Sequence, residues 1–217
     1  MSSASQAEPT AGPSPLESEA YGVWKQGDFR ATASLLLEAY GAELRGYLSA
    51  RLARSDSIAD EVFSDFLEDF WRGLPDFQWR CSARGWCYIL LRNAATRFHR
   101  APQNRPGRQV PLTGSLDDAQ FMERLRTQTR EYEKTEVKDR FQALRDRLPA
   151  DDQDLLILRI NRKLAWREVA LILLGPDAPD DEEALRLKAQ ALRRRLVETT
   201  RKLRKMAEDS GLLGPGD

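Results

Sequence analysis

Between Tyr21 and Ala101 the apolar residues recur with a helical period, and no run of alternating β-branched residues occurs anywhere in the chain. Pro102, Pro106, Gly107, Pro111 and Gly114 then break that period, because a proline offers no N–H to a helix and clashes with the turn before it. A second helical period opens at Leu148-Pro149 and runs to Met206. The pattern predicts an all-α fold of two helical domains, 21–101 and 141–209, joined by a flexible linker over 102–140 that is strongly charged from Asp117 to Arg140. With 217 residues, 41% of them hydrophobic, the chain can fill two modest cores. Residues 1–20 carry Ser2, Ser3, Ser5, Pro9, Pro13, Pro15 and Ser18 and no aromatic. They bury too little to offset ordering entropy and are expected to form a disordered tail, as is the short end 210–217.

The net charge is zero, yet the charges are sorted. Asp56, Asp60, Glu61, Asp65, Glu68, Asp69 and Asp76 face a single base, Arg72, within 56–76; the next stretch, 80–108, holds seven arginines and no acid. Ser57 with Asp60 three residues on has the form of a capping box. The helix that follows places Val62, Phe63, Phe66, Leu67, Phe70 and Trp71 on a core stripe, leaving Glu61, Asp65, Glu68, Asp69 and Arg72 on the opposite side. Solvation alone also leaves a one-signed helix face, so this face does not by itself identify a partner.

A second helix is predicted from about Arg84 to Arg100. Cys87, Leu91, Ala94 and Phe98 form its buried stripe, and Arg92, Asn93, Thr96, Arg97 and Arg100 gather on the other side. Arginine suits phosphate contacts, and an Asn amide can read a base edge. The loop before it carries Phe77, Trp79 and Arg80, a mixture on which unpaired bases stack. The periodicity favours the core for Trp86 and leaves Trp79 open between core and stacking platform.

In the second region, 151–161 and 166–174 read as short helices around the polar turn Asn161-Arg162-Lys163. A long helix follows, opening with Asp180, Asp181, Glu182 and Glu183, as the positive end of a helix dipole favours. Leu185, Ala189, Leu192, Leu196, Leu203 and Met206 fall on one stripe, and between Arg186 and Lys205 nine bases face one acid, Glu198. Two short helices and a basic third have the form of a helix-turn-helix.

Other classes fit poorly. The first base is Lys25, so the start lacks the form of a signal peptide, and no apolar run approaches the roughly 20 residues of a membrane span; a cytoplasmic protein without membrane insertion is expected. Two cysteines and one histidine, Cys81, Cys87 and His99, are too few for a four-ligand zinc site. No phosphate loop or catalytic constellation is present, so no enzyme, cofactor, metal or catalytic residue is expected.

Taken together, the pieces resemble a bacterial RNA polymerase sigma factor of the extracytoplasmic-function type, over about Leu35 to Arg204. Ala59-Asp60-Glu61-Val62 followed by Leu67, Trp71, Phe77, Trp86, Tyr88, Ile89 and Asn93 is similar to the family's domain 2, a helical bundle. Leu148-Pro149, Leu155 to Arg159, Leu164 to Leu173 and Leu192 to Leu203 are similar to its domain 4, a helix-turn-helix. The resemblance implies a protein that binds core RNA polymerase and directs promoter recognition and melting. Asp60, Glu61, Asp65, Glu68 and Asp69 would dock on the clamp helices of the largest subunit, with the polymerase flap as a further contact. Trp79, Arg80, Arg84, Arg92, Asn93, Thr96, Arg97 and Arg100 would hold the minus-10 element, and Lys188, Gln190, Arg193, Arg194, Arg195, Val197 and Arg201 the minus-35 element. An anti-sigma factor is a further partner that the resemblance admits.

The chain departs from the family pattern in the extra length from Gly175 to Gln190, and in Val197, Glu198 and Thr200 where basic or base-reading residues are usual. Trp79-Arg80 replaces a small, often acidic loop. Lys163 stands where a turn glycine is common and Ala165 where a capping Ser is common, each change costing about 1 kcal/mol or less. The alternative is a helix-turn-helix repressor or activator whose N-terminal helices only dimerise. It has no need of the acidic face.

Overall fold

The computed structural model describes residues 14–52, 56–100, 143–175 and 181–211, and these are all helical or in turns, with no strand among them. Helix α1 (Pro15–Lys25) begins inside the stretch expected to be a disordered tail. Ser14 caps it, its Oγ accepting from the Glu17 N–H at 3.2 Å, and Pro15 takes a first-turn position where a missing N–H costs nothing. The order extends this far back because Tyr21 and Trp24 pack on other aromatics, and Trp24 Nε1 donates to the Leu74 carbonyl at 2.8 Å.

Helix α2 (Phe29–Arg51) is capped by Asp28, whose Oδ1 accepts from the Ala31 N–H at 2.9 Å. Helix α3 spans Asp56–Gly73, so Ser57 lies within it rather than ahead of it, and any cap falls outside the described residues. Helix α4 spans Ala83–Arg100. Phe63, Phe66 and Phe70 of α3 are fully buried, with Leu36, Leu44, Tyr47 and Leu48 of α2 and Tyr88 and Leu91 of α4. Each such side chain contributes about 1.5–3 kcal/mol of burial energy. Trp71, expected in this stripe, is 44% exposed instead. Its position lies about 100° from Phe70, which carries it past the edge of the buried face.

The second region opens with α5 (Ala150–Leu156), which widens into a π turn at Ile157–Asn161. That turn closes through the Arg162 N–H to the Ile157 carbonyl at 2.9 Å. Helix α6 (Trp166–Leu174) ends at Gly175, whose φ of 82° and ψ of −163° only a glycine adopts readily. Helix α7 (Glu182–Asp209) starts at the Asp181 cap and ends at Ser210 and Gly211. The expected linker, 102–140, lies outside the described residues, as do 1–13, most of the turn before α7 and residues 212–217.

The two helical groups share a core. Leu155, Leu158, Leu164, Val169, Ile172, Leu185 and Leu192 belong to the same buried cluster as the α2, α3 and α4 side chains. Helix α4 packs on α6, and Gly85 sits where a Cβ would meet Ser82 Oγ at 3.0 Å and Glu168 Oε1 at 3.8 Å. No helix among the described residues is long and apolar enough to cross a membrane.

Candidate nucleic-acid and partner surfaces

The acids of α3 divide into two sets. At one edge Asp60 turns to α2, where Oδ1 accepts from Arg45 Nε at 3.2 Å and Nη2 at 3.1 Å. That Arg45 side chain is only 2% exposed, so the pair holds α2 against α3. At the other edge Asp69 hydrogen-bonds Arg97 of α4 and lies 3.6 Å from Arg72. Between the edges Glu61, Asp65 and Glu68 are half-buried and make no ion pair among the described residues. Of the five acids that sequence reasoning grouped on one face, Asp60 and Asp69 are paired across helices and the other three make no ion pair among the described residues.

The α4 arginines are divided in the same way. Arg84 donates to Glu43 Oε1 from Nε at 3.0 Å, while Tyr88 Oη donates to the same oxygen at 2.6 Å. Burial first, and the Glu43 charge second, push the Tyr88 phenol well above its usual range, which keeps it a donor. Glu17 of α1 is buried and accepts from the Arg84 N–H at 3.1 Å, capping α4 from a different helix. Arg92 turns to α5, and Arg97 to α3. Asn93 and Thr96 are half-exposed and Arg100 is exposed, with the Thr96 hydroxyl donating to the Arg92 carbonyl at 2.8 Å. The eight residues expected at the minus-10 element therefore do not form one surface: Asn93, Thr96 and Arg100 share the outer side of α4 with Arg97, which is exposed and paired to Asp69, whereas Arg84 and Arg92 are engaged within the fold.

The loop ahead of α4 is the most strained described segment of this first group. Trp79 has φ 55°, which costs a non-glycine residue about 1–2 kcal/mol. Its indole N–H is buried without a hydrogen-bond partner. The ring packs on Phe77 at 4.9 Å, Tyr21 at 5.1 Å and Trp24 at 6.1 Å, under α1. Trp86 stacks on Phe77 at 4.4 Å and 15°, the core position that its periodicity suggested. Strain combined with an unsatisfied donor is how functional loops are commonly built. Arg80, next to it, is exposed.

In the second group Lys163 occupies the turn between α5 and α6 at φ 55°, so the position where a glycine is usual has the conformation that glycine favours. Ala165 caps α6 with no side-chain acceptor, and only half of a capping box remains, the Ala165 N–H donating to Glu168 Oε2 at 3.3 Å. On α7, Leu185, Ala189, Leu192 and Thr199 are buried. Gln190, Arg194, Val197 and Arg201 recur at helical spacing on the outward side and are all exposed, Val197 at 60%. Arg193 and Arg195 flank that row: Arg193 lies over the Trp166 ring at 5.6 Å, as Arg159 does at 4.8 Å, and Arg195 Nε donates to the buried Asp152 at 2.6 Å. Lys188 is half-buried. The ion pairs of Arg84, Arg92, Arg195 and Asp60 join segments far apart in sequence, and no local pattern announces them.

No family model matches this chain, and no characterised protein matches it significantly.

Proposed function

We propose that this protein is a promoter-specificity subunit of bacterial RNA polymerase, a sigma factor of the extracytoplasmic-function type, acting in the cytoplasm. The observation that supports the reading is the coexistence, on one all-helical fold, of three α3 acids without an ion pair among the described residues and an outward row on α7 that carries two arginines. A DNA-binding protein alone has no use for the first, and a solvated acidic helix does not account for the second.

In this reading Glu61, Asp65 and Glu68 dock on a basic helical surface of the polymerase, while Asp60 and Asp69 shape that face from its edges. The outward row Gln190, Arg194, Val197 and Arg201 enters the major groove of the minus-35 element. There Gln190 can pair with adenine, an arginine with guanine, and the Val197 side chain can pack on a thymine methyl. The strained Trp79 loop and Asn93 take up an unstacked base of the minus-10 element, and Arg100 contacts the adjacent backbone. No covalent chemistry is required, because melting is driven by contacts made only to the unpaired strand.

The test is pull-down of core polymerase by the variant Glu61→Lys, Asp65→Lys, Glu68→Lys, with its fold checked by circular dichroism. The reading requires at least about a tenfold loss of binding, equivalent to about 1.4 kcal/mol. Undiminished capture by a folded variant would remove its mechanism.

A further inference from the structure

Glu198 is the only acid on α7 between Glu183 and Glu208. It follows Arg194 by four residues and precedes Arg201 by three, on the outward side of the helix, and all three are exposed. Arg194 and Arg201 lie about 10 Å apart along the axis, roughly the rise of three base pairs. Both spacings form ion pairs elsewhere on this helix. Arg186 Nη2 donates to Glu183, three residues before it, at 2.6 Å, and Arg204 Nε donates to Glu208, four residues after it, at 3.0 Å. Glu198 has an arginine at each of these spacings, yet its carboxylate makes no ion pair among the described residues. Pairs of this kind add little to an exposed helix, so the fold loses almost nothing and both carboxylate oxygens stay open to another donor.

A carboxylate in a row that faces DNA is repelled by the phosphates on either side, so it is tolerated there only with a compensating donor. The base donors of the major groove are the exocyclic amines, cytosine N4 and adenine N6. Adenine sets its N7 acceptor beside N6, and a group that only accepts is repelled by N7. Cytosine presents N4 with no acceptor on the same base edge, so a carboxylate selects cytosine.

We infer, resting on the sigma-factor reading for the identity of the site, that Glu198 is a specificity residue that accepts from the N4 amine of one cytosine in the minus-35 duplex. Arg194 and Arg201 hold the guanines or phosphates beside that cytosine. The sign of the effect is distinctive. Removing the carboxylate weakens binding to the cytosine-bearing site, through the lost contact, and strengthens binding to sites without that cytosine, through the relieved repulsion. A side chain that only supported the helix would change both in the same direction.

The experiment equilibrates the full chain bound to core RNA polymerase, and in parallel the full chain alone, with a duplex library randomised across the minus-35 region, and sequences the bound fraction. The parent is expected to enrich cytosine at one position. Glu198→Ala should lower discrimination at that position by about 5- to 150-fold, the worth of one good base contact, and leave the other positions unchanged. Glu198→Gln should turn the same position to adenine, because a glutamine amide accepts from N6 and donates to N7. Both variants change an exposed side chain and should keep the circular dichroism spectrum of the parent. An unchanged library profile, or an even change across all positions, overturns the role of Glu198. Failure of the sigma-factor reading shows separately, as absence of a complex with core polymerase for parent and variants alike, whereas the library bound by the chain alone still reports on Glu198.

Discussion

Asp60 is where the resemblance and the structure assign different work to one side chain. The resemblance places it on the polymerase; the geometry places it on Arg45, whose guanidinium is 2% exposed at the side-chain level and gives two N–H groups to Asp60 Oδ1. Removing one partner of a buried ion pair leaves the other charge desolvated, at a cost of about 3–5 kcal/mol. The Asp60 side chain is 20% exposed and Arg45 has further contacts, so the cost falls to the bottom of that range or just below it, about 2–3 kcal/mol for Asp60→Ala. For a chain of this length each kcal/mol moves Tm by about 2–4 °C, giving a fall of about 4–12 °C. Glu61→Ala, at a half-buried position without an ion pair among the described residues, should move Tm by less than about 2 °C. Adding Arg45→Met to Asp60→Ala should recover part of the loss, because no buried charge then remains. Thermal unfolding followed by circular dichroism measures all three. Equal Tm values for Asp60→Ala and Glu61→Ala would refute the assignment of Asp60 to the fold.

Other substitutions test the α5–α6 turn and the strained loop. Lys163→Gly should stabilise by about 0.5–1 kcal/mol, since glycine adopts the φ of 55° without steric cost, and Ala165→Ser should add a similar amount by supplying the missing α6 cap; chemical denaturation reads both. Trp79→Phe removes a buried unpaired N–H while keeping a ring, so its Tm should stay within about 3 °C of the parent. Trp86→Ala, which empties the stack on Phe77, should cost about 3–5 kcal/mol, and a comparable loss at Trp79→Phe would contradict the account of the loop. Burial first, then the nearby Glu168 carboxylate, push the Cys81 thiol up to about 11, and burial raises Cys87 further, so iodoacetamide at pH 8 should label neither until the chain unfolds. Rapid labelling of the folded chain, seen by mass spectrometry, would contradict this.

The elements whose residues pack regularly were legible in the sequence. Helix α6 spans the expected Trp166–Leu174, and α4 starts one residue before the expected Arg84, because a continuous apolar stripe flanked by turn residues is a local signal. Lys163 was also legible as a turn residue in a position that favours glycine, since the turn demands its backbone conformation whatever side chain is present. Helix α1 was not, because its order depends on Ser14 and on Trp24 reaching the Leu74 carbonyl, a partner 50 residues away. The grouping of Arg92 and Arg97 with Asn93 on one face followed from helical periodicity alone, and Arg84 joined them through the resemblance. Periodicity gives the direction of a side chain, while its charge partners come from whichever segments pack beside it. Here these are Glu43, Asp154 and Asp69, on three different helices. The acidic face shows the same division, with Asp60 and Asp69 engaged at its edges and Glu61, Asp65 and Glu68 left between them.

The central claim is tested most directly by run-off transcription with purified core RNA polymerase on a library of genomic promoter fragments, with and without this protein. The account predicts transcripts with discrete start sites that appear only when the protein is added and that are lost with Glu61→Lys, Asp65→Lys, Glu68→Lys. A protein that binds the fragments by itself yet yields no new transcript with core polymerase would contradict it.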